Sequence, residues 1–169
     1  MRLPWRRRTP APGEAAATLA AMFAEEARCD GRLVYPEHLD RSRLDFSVSS
    51  LLVVDDYLDH LHAHRPPEVI SGAFEGDAES SWGRTVIRAG MYVGEVLRWN
   101  SRPGYEWLAF DAARARFPDS FRDVEWSLSA CAVLATAGGD LLAPVSKVLK
   151  FLDNGREDSV YAFAAYICR

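Results

Sequence analysis

Lysine is almost missing from this chain: Lys147 and Lys150 are the only two, and arginine supplies the other 18 of the 20 basic residues. The bias carries no functional inference by itself. Cysteine is equally sparse. Cys29, Cys131 and Cys168 stand far apart with no CxxC spacing, which argues against a disulfide framework or a zinc–thiolate site. Each reads as a small buried hydrophobe or an inert thiol, as expected in a reducing cytoplasm. No apolar run approaches the roughly 20 residues needed to span a bilayer. The sequence has no GxSxG elbow, P-loop or GxGxxG, and no cysteine sits in a known nucleophile pattern with a histidine, so the commonest catalytic signatures are missing. A net charge of −4 gives no global attraction to phosphate backbones or anionic lipids.

What is present is enough for a core. With 169 residues, 49% hydrophobic and 11% aromatic, one domain is the default expectation. Arg6-Arg7-Arg8 ahead of the apolar stretch Ala15 to Ala24 imitates a secretory signal. Two prolines and Glu14 separate the charges from that stretch, and Glu25-Glu26 closes it, so it reads as a helix. Residues 1–13, rich in proline and arginine, read as a mobile arm, and residues 14–169 as the folded unit.

Along the chain, the alanine-rich run Glu14 to Arg28 predicts a helix stopped by Asp30-Gly31. Arg32 to Arg43 has no period, apart from a short extended piece at Leu33 to Tyr35 broken by Pro36. Ser47 is placed to cap a helix in which Leu51, Val54, Leu58 and Leu61 recur at helical spacing until Pro66-Pro67. Asp55 falls on or beside that apolar stripe, where a carboxylate needs a partner. Glu68 to Gly83 reads as a glycine-rich loop, and Arg84 to Trp99 as a second strong helix. Gly90 and Gly94 interrupt this helix at a cost of about 1 kcal/mol each, which predicts close approach of another backbone.

After Pro103-Gly104 the period becomes two. Tyr105, Trp107 and Ala109 predict one strand and Val124, Trp126 and Leu128 another, with a short helix from Asp111 to Arg116 between them. Gly138-Gly139-Asp140 followed by Leu141-Leu142 predicts a hairpin. Pro144 to Leu152 resumes helical spacing and stops at Asn154-Gly155, and Glu157 to Cys168 is a last amphipathic piece with Val160, Phe163, Ala164 and Ile167 on one side.

Three short patches carry a resemblance. They are Leu44-Asp45, Ser47, Ser50-Leu51, Val54-Asp55 and Leu58; then Gly90, Tyr92, Gly94-Glu95-Val96 and Arg98; then Pro144, Lys147-Val148, Lys150, Leu152, Asn154-Gly155 and Asp158-Ser159. In these the chain resembles an uncharacterised family of bacterial proteins. The resemblance spans roughly residues 44–160. It implies a bacterial origin and a single domain, and supplies no activity.

Two constellations carry chemistry. Three of the four histidines crowd into His60-Leu61-His62-Ala63-His64 after Asp55-Asp56-Tyr57-Leu58-Asp59. On a helix Asp56, His60 and His64 share one face at four-residue steps, a set able to bind zinc or another divalent ion with an open position. The blander reading is histidines that interact with the helix dipole and solvent while the aspartates pair with them. The second constellation is Asp55, Glu95, Arg98 and Lys147. If the two strong helices meet through Gly90 and Gly94, these groups line a polar cleft; the alternative is a structural ion-pair network. Ser47, Ser49 and Ser50 read as capping residues. Arg84, Arg88, Arg98 and Arg102 with Trp82 and Trp99 have the makings of a nucleic-acid stacking surface, which the acidic balance disfavours.

The expected fold is α+β, a single domain with helices packed on a small, mainly antiparallel sheet and the N-terminal helix as an outer layer. The expected function is non-catalytic: a soluble, cytoplasmic bacterial protein that binds another protein or regulates it, the immunity type included. No cofactor, membrane or nucleic acid is expected as a partner. The competing readings are a metal-binding protein or small metal-dependent hydrolase using Asp56, His60 and His64, and a small-ligand binder with a cleft at Glu95.

Overall fold

A computed structural model of the chain describes residues 10–25, 33–66, 69 and 80–169. The Arg6–Arg8 cluster, Cys29, the Asp30-Gly31 stop and most of the glycine-rich stretch 68–83 lie outside the described residues. Within them the chain forms helices α1 (Pro12–Ala24), α2 (Leu51–His64) and α3 (Ser81–Asn100), strand β1 (Glu106–Ala109), helix α4 (Phe110–Arg116), strands β2 (Ala132–Ala135) and β3 (Leu141–Leu142), and helices α5 (Pro144–Asn154) and α6 (Val160–Ile167). This is the expected α+β arrangement of helices with a small antiparallel sheet.

Each helix starts for a local reason. Proline stands at the first position of α1, where its missing N–H costs nothing, and the Glu14 carboxylate accepts the Ala11 N–H at 3.1 Å. The helix therefore begins inside the stretch expected to be an arm, and it ends at Ala24, where Glu25 is extended. Ser47 accepts the Ser50 N–H at 3.2 Å and caps a short 3-10 turn that runs straight into α2. Ser80 caps α3 by accepting the Gly83 N–H at 2.9 Å.

In α3 every residue from Arg88 to Leu97 is buried, the pattern of a helix enclosed on all sides. Helix α1 packs on it through Ala16, Ala20 and Phe23, whose small and flat side chains permit close approach, and α5 packs on it from another side. The glycine notch receives α5: a Cβ on Gly90 would stand 2.7 Å from Val145 Cα, and one on Gly94 would strike the Trp107 ring and meet Pro144 at 3.2 Å. The expectation of a close backbone is met, but the partner is α5 with β1, and not α2. Helix α2 has α5 and α6 as its main neighbours instead.

The sheet runs β1-β2-β3, antiparallel throughout, with Glu106 opposite Ala135, Ala109 opposite Ala132, and Leu134 opposite Leu142. Gly139, at φ 98°, closes the β2–β3 hairpin where a side chain would be strained, and Thr136 and Asp140 brace it with a side-chain hydrogen bond of 3.0 Å. The Val124–Leu128 stretch is not a strand. Trp126 lies exposed while Leu128 is buried at the start of a 3-10 turn, so the alternating pattern does not map onto one face, and the apolar run at Ala132–Ala135 pairs with β1 in its place. Leu33 to Tyr35 forms bends, with Tyr35 in the left-handed region at φ 47°.

The notch generates a prediction. Gly90→Ala forces the new methyl against α5 backbone, and should destabilise by about 1–3 kcal/mol in urea unfolding. Gly13→Ala, where nothing lies within 4 Å, should be neutral or stabilising by up to about 1 kcal/mol.

Candidate functional site

The end of α2 carries the densest chemistry. His60 stacks on His64 with ring centroids 4.1 Å apart, and its other face receives His38 at 3.6 Å and an interplanar angle of 15°. The Tyr35 ring stands edge-on to His60 at 5.2 Å. The His64 Nδ1–H donates to the His60 carbonyl at 2.8 Å, fixing that ring over the last helical turn. Burial lowers the His60 pKa, the neighbouring His38 and His64 lower it further, and Glu37 opposes them. Sequence reasoning missed His38 because its segment has no periodicity that would place it beside α2.

Asp56 is not part of this group. It accepts from Arg156 at 2.9 Å, and Arg156 also donates to Asp59 at 3.0 Å. The Asp56, His60 and His64 set expected to hold a metal is thus not assembled as ligands: an arginine takes the carboxylate, and the imidazoles lie face to face. Among the described residues no group of three or more His, Cys, Asp or Glu side chains is placed to hold a metal ion. His62, expected to be solvated, is half-buried. Its Nδ1–H donates to the Leu152 carbonyl at 2.7 Å, and its ring lies against Gly155.

The Asp55, Glu95, Arg98 and Lys147 constellation resolves into separate networks. Asp55, only 4% exposed, accepts from the Ser159 hydroxyl at 2.6 Å and from the Val160 N–H at 2.8 Å. Ser159 in turn accepts the Ala162 N–H at 2.9 Å, so the pair caps the start of α6. Burial raises the Asp55 pKa, and the Ser159 and Val160 hydrogen bonds oppose the shift. Lys147 donates to Asp158 at 2.6 Å, as does Asn154; these two bonds hold the Asp158 carboxyl below its ordinary range. Glu95, 1% exposed, takes both oxygens to Arg98, at 2.9 and 2.8 Å, and accepts the Trp107 indole N–H at 2.7 Å. The shared polar cleft expected between Asp55 and Glu95 is absent from these contacts, because the glycine notch is filled by α5 and Trp107. A surface hollow of about 320 Å³ lies beside Arg98, Tyr105 and Trp107, with Glu95 outside its lining.

A second feature lies at the far end of α3. Trp99 is 58% exposed and lies on Phe46 with ring centroids 4.8 Å apart. Phe46 occupies the left-handed region at φ 61°, uncommon for a bulky residue. Its N–H donates to the Tyr92 hydroxyl at 3.0 Å and its carbonyl accepts from Asn100 at 2.9 Å, and Tyr92 is itself bonded to Ser50 at 2.7 Å. Of the arginines expected to share a stacking surface with Trp99, Arg88 is buried, and Arg98, held by Glu95, lies with its guanidinium carbon 6.0 Å from the Trp99 ring centroid.

No protein-family model matches the chain, and neither does any curated protein or solved structure.

The Asp55 network predicts a coupled loss. Asp55→Ala, which strands the Val160 N–H, should cost about 1–3 kcal/mol in urea unfolding. Ser159→Ala should cost about 0.5–2 kcal/mol, and the double variant less than the sum of the two.

Proposed function

We propose that this is a non-catalytic bacterial protein, cytoplasmic and related to the uncharacterised family it resembles, that binds or regulates another protein. The observation that carries this reading is the Phe46–Trp99 pair. An exposed tryptophan laid on a phenylalanine, with that phenylalanine fixed in a costly backbone conformation by hydrogen bonds on both sides, is a rigid aromatic anchor. Such anchors concentrate binding energy at protein interfaces, because they present a large apolar area with little rotamer entropy left to lose. Strained backbone that the surroundings hold in place is characteristic of sites with a use.

The buried acids favour the same reading. A catalytic carboxylate needs a reacting group within reach, yet Asp55 and Glu95 spend their oxygens on Ser159, Val160, Arg98 and Trp107. These bonds hold elements of the fold together, whereas Trp99 keeps 58% of its surface exposed.

The reading is tested by placing a photo-crosslinking phenylalanine analogue at position 99, and separately at the exposed positions 126 and 166, in the chain expressed in a bacterial host. A discrete heavier adduct from position 99 alone is expected. Equal adducts from all three positions, or none from position 99, would count against an interface there. Trp99→Ala should leave unfolding stability within about 0.5 kcal/mol, as for surface substitutions generally.

A further inference from the structure

Three of the four histidines form one continuous stack, His38 on His60 on His64, which joins the turn Pro36–His38 to the last turns of α2. Two of the rings belong to the helix and one to the turn, so the stack is a bridge between elements. Tyr35 leans on it edge-on from a left-handed backbone. On either side of the turn, Leu33 and Leu39 are buried in the core, and the Tyr57 hydroxyl donates to the Val34 carbonyl. The segment is therefore anchored at both ends and held in the middle by the imidazoles.

Neutral imidazole rings stack through dispersion and apolar contact. Two imidazolium rings at these spacings repel each other directly, and His60, with a neighbour on each face, cannot take a proton without meeting whichever neighbour is also charged. Of the charged groups nearby, Glu37 opposes this more weakly than the two imidazoles act. Glu37 lies 4.0 Å from His38 and is mostly exposed. On α2, Asp56 and Asp59 are both turned to Arg156, from the turn after α5. Arg65, at the end of α2, is turned to Asp153 of α5.

We infer that the stack is an acid-sensitive latch: it holds the Tyr35–His38 turn against α2 at neutral pH, and protonation of His60 beside a charged neighbour releases the turn. The release is local, because Leu33 and Leu39 stay in the core, and it frees Tyr35, already 37% exposed, from the imidazoles it leans on. The sign follows from the geometry and from the lowered His60 pKa. The latched state favours the neutral ring, so its stability is intact above the ordinary imidazole value of about 6.5 and is lost as pH falls below it. This stands apart from the interface at Trp99, and a failure of either leaves the other untouched.

The test is hydrogen exchange on the intact chain. The His38 N–H donates to the Tyr35 carbonyl and the Leu39 N–H to that of Pro36, so these two amides report on the turn. Their protection factors should fall severalfold between about pH 7.5 and about pH 5.5, while amides in the middle of α3 keep theirs. His60→Phe, which keeps a ring that can stack but cannot take a proton, should retain protection at both pH values. By NMR titration the His60 midpoint should rise when His38→Ala removes a neighbour, and His62→Ala, outside the stack, should leave it in place. Unchanged protection in the wild type on acidification, the same loss in His60→Phe, or a His60 midpoint indifferent to His38→Ala would overturn the inference.

Discussion

The seating of α5 in the notch of α3 is the contact on which the remaining structure depends. Gly90 has no Cβ because Val145 backbone occupies that space, and Gly94 has none because the Trp107 ring and Pro144 do. This single close approach brings α5 onto the enclosed central helix, and α5 then serves as the surface on which α2, β2 and α6 are arranged. The cost of two glycines inside a helix is offset by burial of Val145, Val148, Phe151 and Leu152, all at or below 2% exposure. Trp107, pressed into the same notch, donates its indole N–H to Glu95, so one residue joins the apolar contact to the Glu95–Arg98 ion pair.

The residues behind the resemblance belong to this framework. Ser50 bonds Tyr92, Asp55 bonds Ser159, Gly90 and Gly94 receive the start of α5, and Lys147 with Asn154 holds Asp158. The three patches, far apart in sequence, thus meet in space. Their contacts tie the chain together and leave no reacting group among them.

Local signals were readable and remote ones were not. The Ser47 cap, the stripe of α2, the β2–β3 turn and the stop at Gly155, whose φ is 68°, are written within a few residues of where they act. That Asp55 needs a partner also follows from its place on an apolar stripe; that the partner is Ser159, 104 residues on, does not follow from any periodicity. His38 escaped notice for the same reason, since only the turn at Tyr35 and Pro36 carries it to the helix. Val124 to Leu128 alternates like a strand, but β1 pairs with β2, and the pattern is left without a ladder to join. The glycine spacing was sound as a sign of close packing and silent about which element would fill it.

Helix α6 spans two turns, short enough that an isolated peptide of that length would hardly form it. Its first turn is completed by a carboxylate from α2, a hundred residues earlier in the chain. It therefore cannot serve as a seed during folding. The loop between the two must close before the helix gains its cap, and the entropy lost in that closure precedes the reward. The same holds for Val145 at Gly90. A helical protein is ordinarily a fast folder because its contacts are local, whereas this one defers its decisive contacts to partners far apart along the chain, and its folding rate should fall toward that of mixed α/β domains.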